Sequence, residues 1–132
     1  MKIKSLLLGV ILLVFLAITI VMGVLLTKEF DDISESSLLK YLVDKEIRII
    51  PRFIKGSNVV YRSHPVNGTS RSLNSIKIKT ENSNLSHEEA IKYFTKLGYQ
   101  KDSFYRLSKN GEEISIEDIG DNSLLITKYS WE

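Results

Sequence analysis

Ser86–Ile116 reads SHEEAIKYFTKLGYQKDSFYRLSKNGEEISI, and the fold class turns on this stretch. Its first third has helical spacing. Ser86 stands as an N-cap with Glu89 three residues on, a pairing in which each side chain meets the other's backbone N–H. Leu85 and Ala90 stand where a hydrophobic staple would. Ala90, Ile91, Phe94 and Leu97 recur on one side of a 3.6-residue period, and Glu88 and Lys92 make a favourably oriented i,i+4 pair. Gly98 falls where the chain leaves the helix through a left-handed residue, with Tyr99 placed to fold back on Phe94. The rest of the stretch has period two. Asn110-Gly111 is the dipeptide of a two-residue hairpin turn. Counting outward from it, Lys109 faces Glu112, Leu107 faces Ile114 and Tyr105 faces Ile116. One face of the hairpin therefore collects Tyr105, Leu107, Ile114 and Ile116. A helix followed by a one-sided hairpin predicts an α+β layer fold, an antiparallel sheet with helices on one face.

The flanking sequence extends this pattern. Upstream, Ser75–Thr80 alternates, with Ile76 and Ile78 facing one way and Lys77 and Lys79 the other. Residues 62–74 have no period and read as a loop. Val59-Val60-Tyr61 is a short strand after the turn Gly56-Ser57-Asn58. Glu46–Ile50 alternates weakly, Ile47 and Ile49 against Arg48, and Pro51 ends it. Asp31–Asp44 reads as a short helix, with Asp32-Ile33-Ser34-Glu35 as a capping pair and Leu38, Leu39 and Leu42 on one side. Downstream, Gly120-Asp121-Asn122 turns the chain into a last strand, Leu124–Tyr129, whose inward face the pattern leaves open. The expected order is α-βββ-α-βββ.

Ahead of this domain, Leu6–Thr27 carries no charged side chain. As a helix it would reach about 33 Å, enough for the hydrocarbon of a bilayer. It is longer than the 7–15 apolar residues usual in a signal-peptide core, which favours an uncleaved anchor over cleavage near Val21-Met22-Gly23. The expected organisation is a short cytoplasmic tail over 1–5, a transmembrane helix over 6–27, a juxtamembrane helix or linker over 28–44 and an extracytoplasmic α+β domain over 45–132. Lys2 and Lys4 on the short side against Lys28 on the long side place the N-terminus in the cytoplasm. The chain has no cysteine, so an extracytoplasmic domain of this kind fits a bacterial envelope better than a disulfide-stapled secretory setting. Asn67-Gly68-Thr69 and Asn84-Leu85-Ser86 match the glycosylation pattern, and the second is better explained as part of a helix cap.

The net charge of +2 conceals an asymmetry. Residues 1–28 carry +3, 29–44 carry −4, 45–80 carry +7 and 81–132 carry −4. Placed on one sheet, Arg48, Lys77 and Lys79 would share the outer face, with Arg52 nearby in a turn. These four are the expected contacts for an acidic protein surface or for anionic lipid headgroups; nucleic acid is not expected outside the cytoplasm. No cofactor or metal is expected: His64 and His87 fall in different elements, and Glu117, Asp118, Asp121 and Asn122 match no calcium-loop spacing. No serine sits on a glycine-flanked elbow, and no glycine-rich loop precedes a helix. The expected function is non-enzymatic: a membrane-anchored protein-binding module, such as an inhibitor or immunity protein of the envelope or a small single-span subunit of an envelope complex. The alternatives are a small-ligand sensor with a pocket between helix and sheet, and a hydrolase joining His64 to the Glu117–Asp121 turn.

Overall fold

The computed structural model describes residues 2–65 and 71–131. It opens with helix α1, Lys2–Thr27, 26 residues long and apolar enough to cross a membrane. All of its residues are exposed except Leu25, which is half-buried. The hydroxyls of Thr19 and Thr27 donate to the carbonyls of Phe15 and Gly23, at 2.9 and 3.0 Å. Even the polar side chains of the apolar run are thus satisfied within the helix, as a lipid surrounding requires.

The remainder is a seven-stranded antiparallel sheet with helices packed on one face. The strands are β1 (Phe30–Ser34), β2 (Gly56–His64), β3 (Ser72–Thr80), β4 (Gln100–Ser103), β5 (Arg106–Lys109), β6 (Glu112–Asp118) and β7 (Ser123–Ser130), in the order β1-β2-β3-β7-β6-β5-β4. Helix α2 (Lys45–Arg48) lies between β1 and β2 in sequence, flanked by 3₁₀ turns at Leu38–Leu42 and Ile50–Arg52. Helix α3 (Ser83–Lys96) carries the chain from β3 across the sheet to the edge strand β4. The central pair, β3 and β7, aligns Ile76 with Ile126 and Ile78 with Leu124. These four join Tyr61, Leu107, Ile114 and Ile116 under Ile47, Ile50, Ile54, Ala90 and Phe94 in one core.

The stretch Ser86–Ile116 behaves largely as its spacing dictates. Gly98 has φ +95°. The Tyr99 N–H donates to Phe94 O and the Gly98 N–H to Thr95 O, the paired bonds that close a helix through a left-handed glycine. The Tyr99 ring meets Phe94 edge-on at 5.6 Å. Asn110 and Gly111 both have positive φ, and the register Lys109↔Glu112 and Leu107↔Ile114 is the expected one. Two details differ. The cap is Asn82, whose Oδ1 accepts from the N–H groups of Asn84 and Leu85, so Ser86 lies inside the helix and Leu85 is exposed rather than stapled. Tyr105 sits in the β4–β5 turn and is exposed, although its carbonyl still accepts from the Ile116 N–H.

The N-terminal half departs further. Residues 31–44, expected as a helix, hold β1 and the 3₁₀ turn instead. Leu38, Leu39 and Leu42 fall on the 3₁₀ turn, and β1 carries a bulge: Asp32 takes φ +53°, and the register shifts between Phe30↔Ser63 and Ile33↔Tyr61. Two apolar residues three apart then face the same side of a strand, a spacing that otherwise marks a helix. The converse holds at 46–50, expected as a strand. There Ile47, Ile50 and Ile54 are the buried residues, at helical intervals, and Asp44 caps α2 by accepting from the Glu46 N–H. The order after α1 is therefore β-α-ββ-α-ββββ. The loop expected over 62–74 is shortened from both sides by β2 and β3. Residues 66–70, with the Asn67-Gly68-Thr69 pattern, lie outside the described residues. Gly56 opens β2 where a Cβ would run into the Lys79 carbonyl and the Ile78 side chain.

Only Lys28 and Glu29 separate α1 from β1, so the sheet has a near and a far end relative to α1. In an antiparallel sheet the ends alternate. The near end holds the starts of β1, β3, β4 and β6 and the finishes of β2, β5 and β7. A cleft lined by Leu25, Leu26, Lys28, Leu42, Pro65 and Ser72 marks where the last turns of α1 meet it. The far end holds Gly56, Thr80, Asp118 and Ser123, together with the N-terminus of α3 and the β4–β5 turn.

Candidate functional site

The four basic residues expected to form one surface are divided between the two sides of the sheet. Arg48 belongs to α2, in the helix layer. Its guanidinium lies over the Tyr41 ring at 4.9 Å and donates to the Tyr41 carbonyl at 3.3 Å. Arg52 ends the following 3₁₀ turn in the same layer and is exposed. Lys77 and Lys79 do share the open face of β3. Lys79 pairs with Asp121 at 3.1 Å, and Lys77 makes no ion pair among the described residues. His64 shares Asp31 with Arg62, at 2.9 and 2.7 Å. It stands at the near end of the sheet, whereas the Glu117–Asp121 turn is at the far end. The meeting that the hydrolase alternative requires is not made. The described clefts lie at the two ends of the sheet, on its open face and along α1.

Two polar centres were not foreseen. The first surrounds Lys128. Its strand buries Leu124, Ile126 and Lys128 in alternation, so a lysine takes an inward position. Its Nζ lies 3.1 Å from Asp44, 3.1 Å from Glu46 and 3.4 Å from Glu112, with the side chain only 5% exposed. Burial disfavours the ammonium, but Asp44 and Glu46 outweigh it and raise its pKa. The Tyr99 hydroxyl bridges Glu46 and Glu112 at 2.8 and 2.5 Å. Burial, reinforced by these carboxylates, holds the phenol protonated well above its ordinary range. Tyr93 donates to the Glu46 carbonyl, and burial pushes it up to about 12. Every member has a partner, and the cluster ties α2 to α3, β6 and β7. Its geometry is that of a structural clamp.

The second centre lies at the far end. Helical spacing from Ser83 brings His87 to the buried face of α3. Its ring stacks on Phe104 at 4.5 Å and 16°, and Tyr105 stands edge-on to both rings. Phe104 and Tyr105 are themselves 59% and 55% exposed. Ser83 Oγ donates to Asp118 Oδ2 at 2.7 Å, and the Gly120 N–H donates to Asp118 Oδ1 at 2.9 Å. Those two bonds, Ser83's first, hold the Asp118 carboxyl below its usual range. His87 Nε2 is buried with no hydrogen-bond partner among the described residues. Burial, with Lys101 nearby, lowers its pKa, so the ring is neutral near pH 7. A cleft of about 440 Å³ lies between the first turns of α3 and the β4–β5 turn, lined by Ser83, His87, Glu88, Phe104, Tyr105 and Asp118.

This centre offers stacking surface, two carboxylates and an imidazole. The Ser83 hydroxyl donates its hydrogen bond to the Asp118 carboxylate, and no hydrogen bond links it to His87 among the described residues. The signal for His87 was present in the sequence, since residues 83, 87, 90 and 94 fall on one helical stripe. No family model matches this chain, and no curated protein or solved structure matches it, so its function is argued from the arrangement of the molecule alone.

Proposed function

We propose that this is a non-enzymatic protein-binding module, held at the outer face of a cytoplasmic membrane by α1 and presenting the far end of its sheet to a partner. The observation that carries this reading is the pair Phe104 and Tyr105. Two adjacent aromatic side chains stand exposed at a hairpin turn, beside a cleft, at the end of the sheet remote from α1. Large rigid aromatics with polar neighbours are the groups that dominate protein interfaces. Glu88 and Asp118 line the same cleft, which favours a partner with a basic or mixed rim. The bias of Lys2 and Lys4 over Lys28 supports an N-terminus in the cytoplasm. An anchor also raises the local concentration of the domain at the membrane, so modest intrinsic affinity suffices. An envelope inhibitor and a small subunit of an envelope complex both fit.

A photo-crosslinking amino acid at Phe104 or Tyr105 in the full-length protein, expressed in its native membrane, tests this. One discrete adduct from both positions, suppressed by excess unmodified protein, is the expected result. No adduct from either position would reject the far end as the contact surface. A second reading keeps the open sheet face as a site for an acidic partner, favoured by Lys77 having no ion pair among the described residues. Under it, the crosslink forms from Lys77 instead, and charge reversal at Lys77 and Lys79 weakens capture in a salt-dependent way.

A further inference from the structure

At the near end of the sheet, Arg71, Tyr129 and Trp131 form a stack on the open face. The Arg71 guanidinium lies 4.0 Å from the Tyr129 ring centroid and 5.5 Å from that of Trp131. The strand register accounts for it: Ser72 pairs with Ser130, so the residues just beyond, Arg71 and Trp131, project from the same end, and Leu73 pairs with Tyr129 beside them. Trp131 is 47% exposed, although a residue of this size normally finds cover. Arg71 makes no ion pair and no side-chain hydrogen bond among the described residues, and stacking uses only the face of its guanidinium. Among the described residues its N–H edges are unengaged, and they suit a bidentate oxyanion.

The stack stands at the end of the sheet nearest the last turns of α1, on the face opposite the cleft that they line. Ser72, the immediate neighbour of Arg71, lines the cleft that also holds Leu25 and Leu26. The link from Thr27 to Phe30 is two residues, so β1 begins no more than about 11 Å from the end of the helix. With α1 across a bilayer, the headgroup layer is therefore at the level of Arg71 and Trp131. Tryptophan and tyrosine favour that layer because an apolar ring and a polar edge are both satisfied there, and an arginine close to anionic headgroups gains from their field.

We infer that Arg71, Tyr129 and Trp131 are a membrane-docking site. The two rings enter the headgroup region, Arg71 grips a lipid phosphate, and the domain is held upright on the bilayer that carries its anchor. The inference rests on α1 being a membrane span, and it adds that the domain is seated rather than swinging on its two-residue link.

Trp131 is the single tryptophan of the chain, so its fluorescence reports the site directly. The full-length protein is reconstituted into vesicles of phosphatidylcholine, alone or mixed with phosphatidylglycerol. Flotation with the vesicles reports the anchor; quenching of Trp131 by lipids brominated near the headgroup, against aqueous iodide, reports docking. The expected result is flotation in both mixtures, with Trp131 quenched by shallow bromolipid and shielded from iodide. Arg71→Glu should cut the ratio of docked to undocked protein about fivefold or more in the anionic vesicles. Arg71→Lys should retain most of the docking, and Lys92→Glu, on the exposed side of α3, should leave it unchanged. A protein that floats while Trp131 stays open to iodide overturns the docking site and leaves the anchor standing. One that does not float overturns both. Equal docking by wild type and Arg71→Glu overturns the phosphate contact.

Discussion

Two basic side chains, Lys128 and His87, are buried toward opposite ends of the sheet, and the chain treats them in opposite ways. Lys128 is enclosed by three carboxylates, two of which, Glu46 and Glu112, are bridged further by Tyr99. His87 is packed between α3 and Phe104 with Nε2 unpartnered among the described residues. A satisfied cluster gains rigidity and has no unmet bonding capacity to offer a ligand. An unsatisfied imidazole beside exposed aromatics has that capacity, at a cost in stability. The contrast suits the first region to holding the domain together and, under the proposed function, the second to contact with a partner.

The largest effect should come from breaking the clamp. Lys128→Ala leaves Asp44, Glu46 and Glu112 together without their cation. They are partly solvated, so the loss should be near the lower end for a buried pair, about 3 kcal/mol by denaturant unfolding of the full chain in detergent. A loss within the range of an ordinary surface change would show that the cluster is not a clamp. The sign of its pH dependence also follows. The pKa of Lys128 is raised on folding, so its contribution is complete below about pH 10.4 and is lost as the pH climbs through the folded value.

An intermediate effect should come from acid at the other end. The pKa of His87 is lowered on folding, so as the pH falls below about 6.5 the unfolded chain takes up a proton before the folded one does. Stability present at neutral pH should decline through that window. The unfolding temperature measured across it should fall more in wild type than in His87→Gln, which cannot titrate. Parallel curves for the two proteins would remove His87 from the account of acid sensitivity. The smallest effect on stability should come from Phe104→Ser and Tyr105→Ser. Both side chains are mostly exposed, and each change should stay within about 1 kcal/mol in unfolding experiments. Both should nevertheless abolish partner crosslinking. Substitutions that unfold the domain would place these rings in its core rather than at its interface.

How far the sequence spoke for itself varied along the chain, for physical reasons. From Ser86 to Ile116 the signals were local and mutually consistent: one glycine, one Asn-Gly turn and one apolar stripe sufficed for helix, exit and register. In the N-terminal half local spacing pointed the wrong way. Leu38, Leu39 and Leu42 gave a 3₁₀ turn the spacing of an α-helix, and Ile47 and Ile49 imitated a strand inside a helical Ile47, Ile50, Ile54 series. Only pairing with β2 and β3, distant in sequence, settles these segments. The candidate site was less legible than the fold. The expected basic surface assumed that Arg48 lay on a strand, and it divided when that segment proved helical. Lys128 was hidden because its partners come from Asp44, Glu46 and Glu112, which are brought together only by the sheet order.

The claim beneath all of this is that the sheet stands on its near end, with Phe104 and Tyr105 facing away from the lipid. The chain has no cysteine, so single cysteines carry fluorescent donors without background. Donors at Ser72→Cys and Glu81→Cys bracket β3, which is nine residues long and so spans about 27 Å. With acceptors in the headgroups of vesicles holding the full-length protein, energy transfer should be strong from position 72 and weak from position 81, separated by most of that length. Equal transfer from the two positions would mean that the strand lies flat on the membrane, and the distinction between its ends would fail.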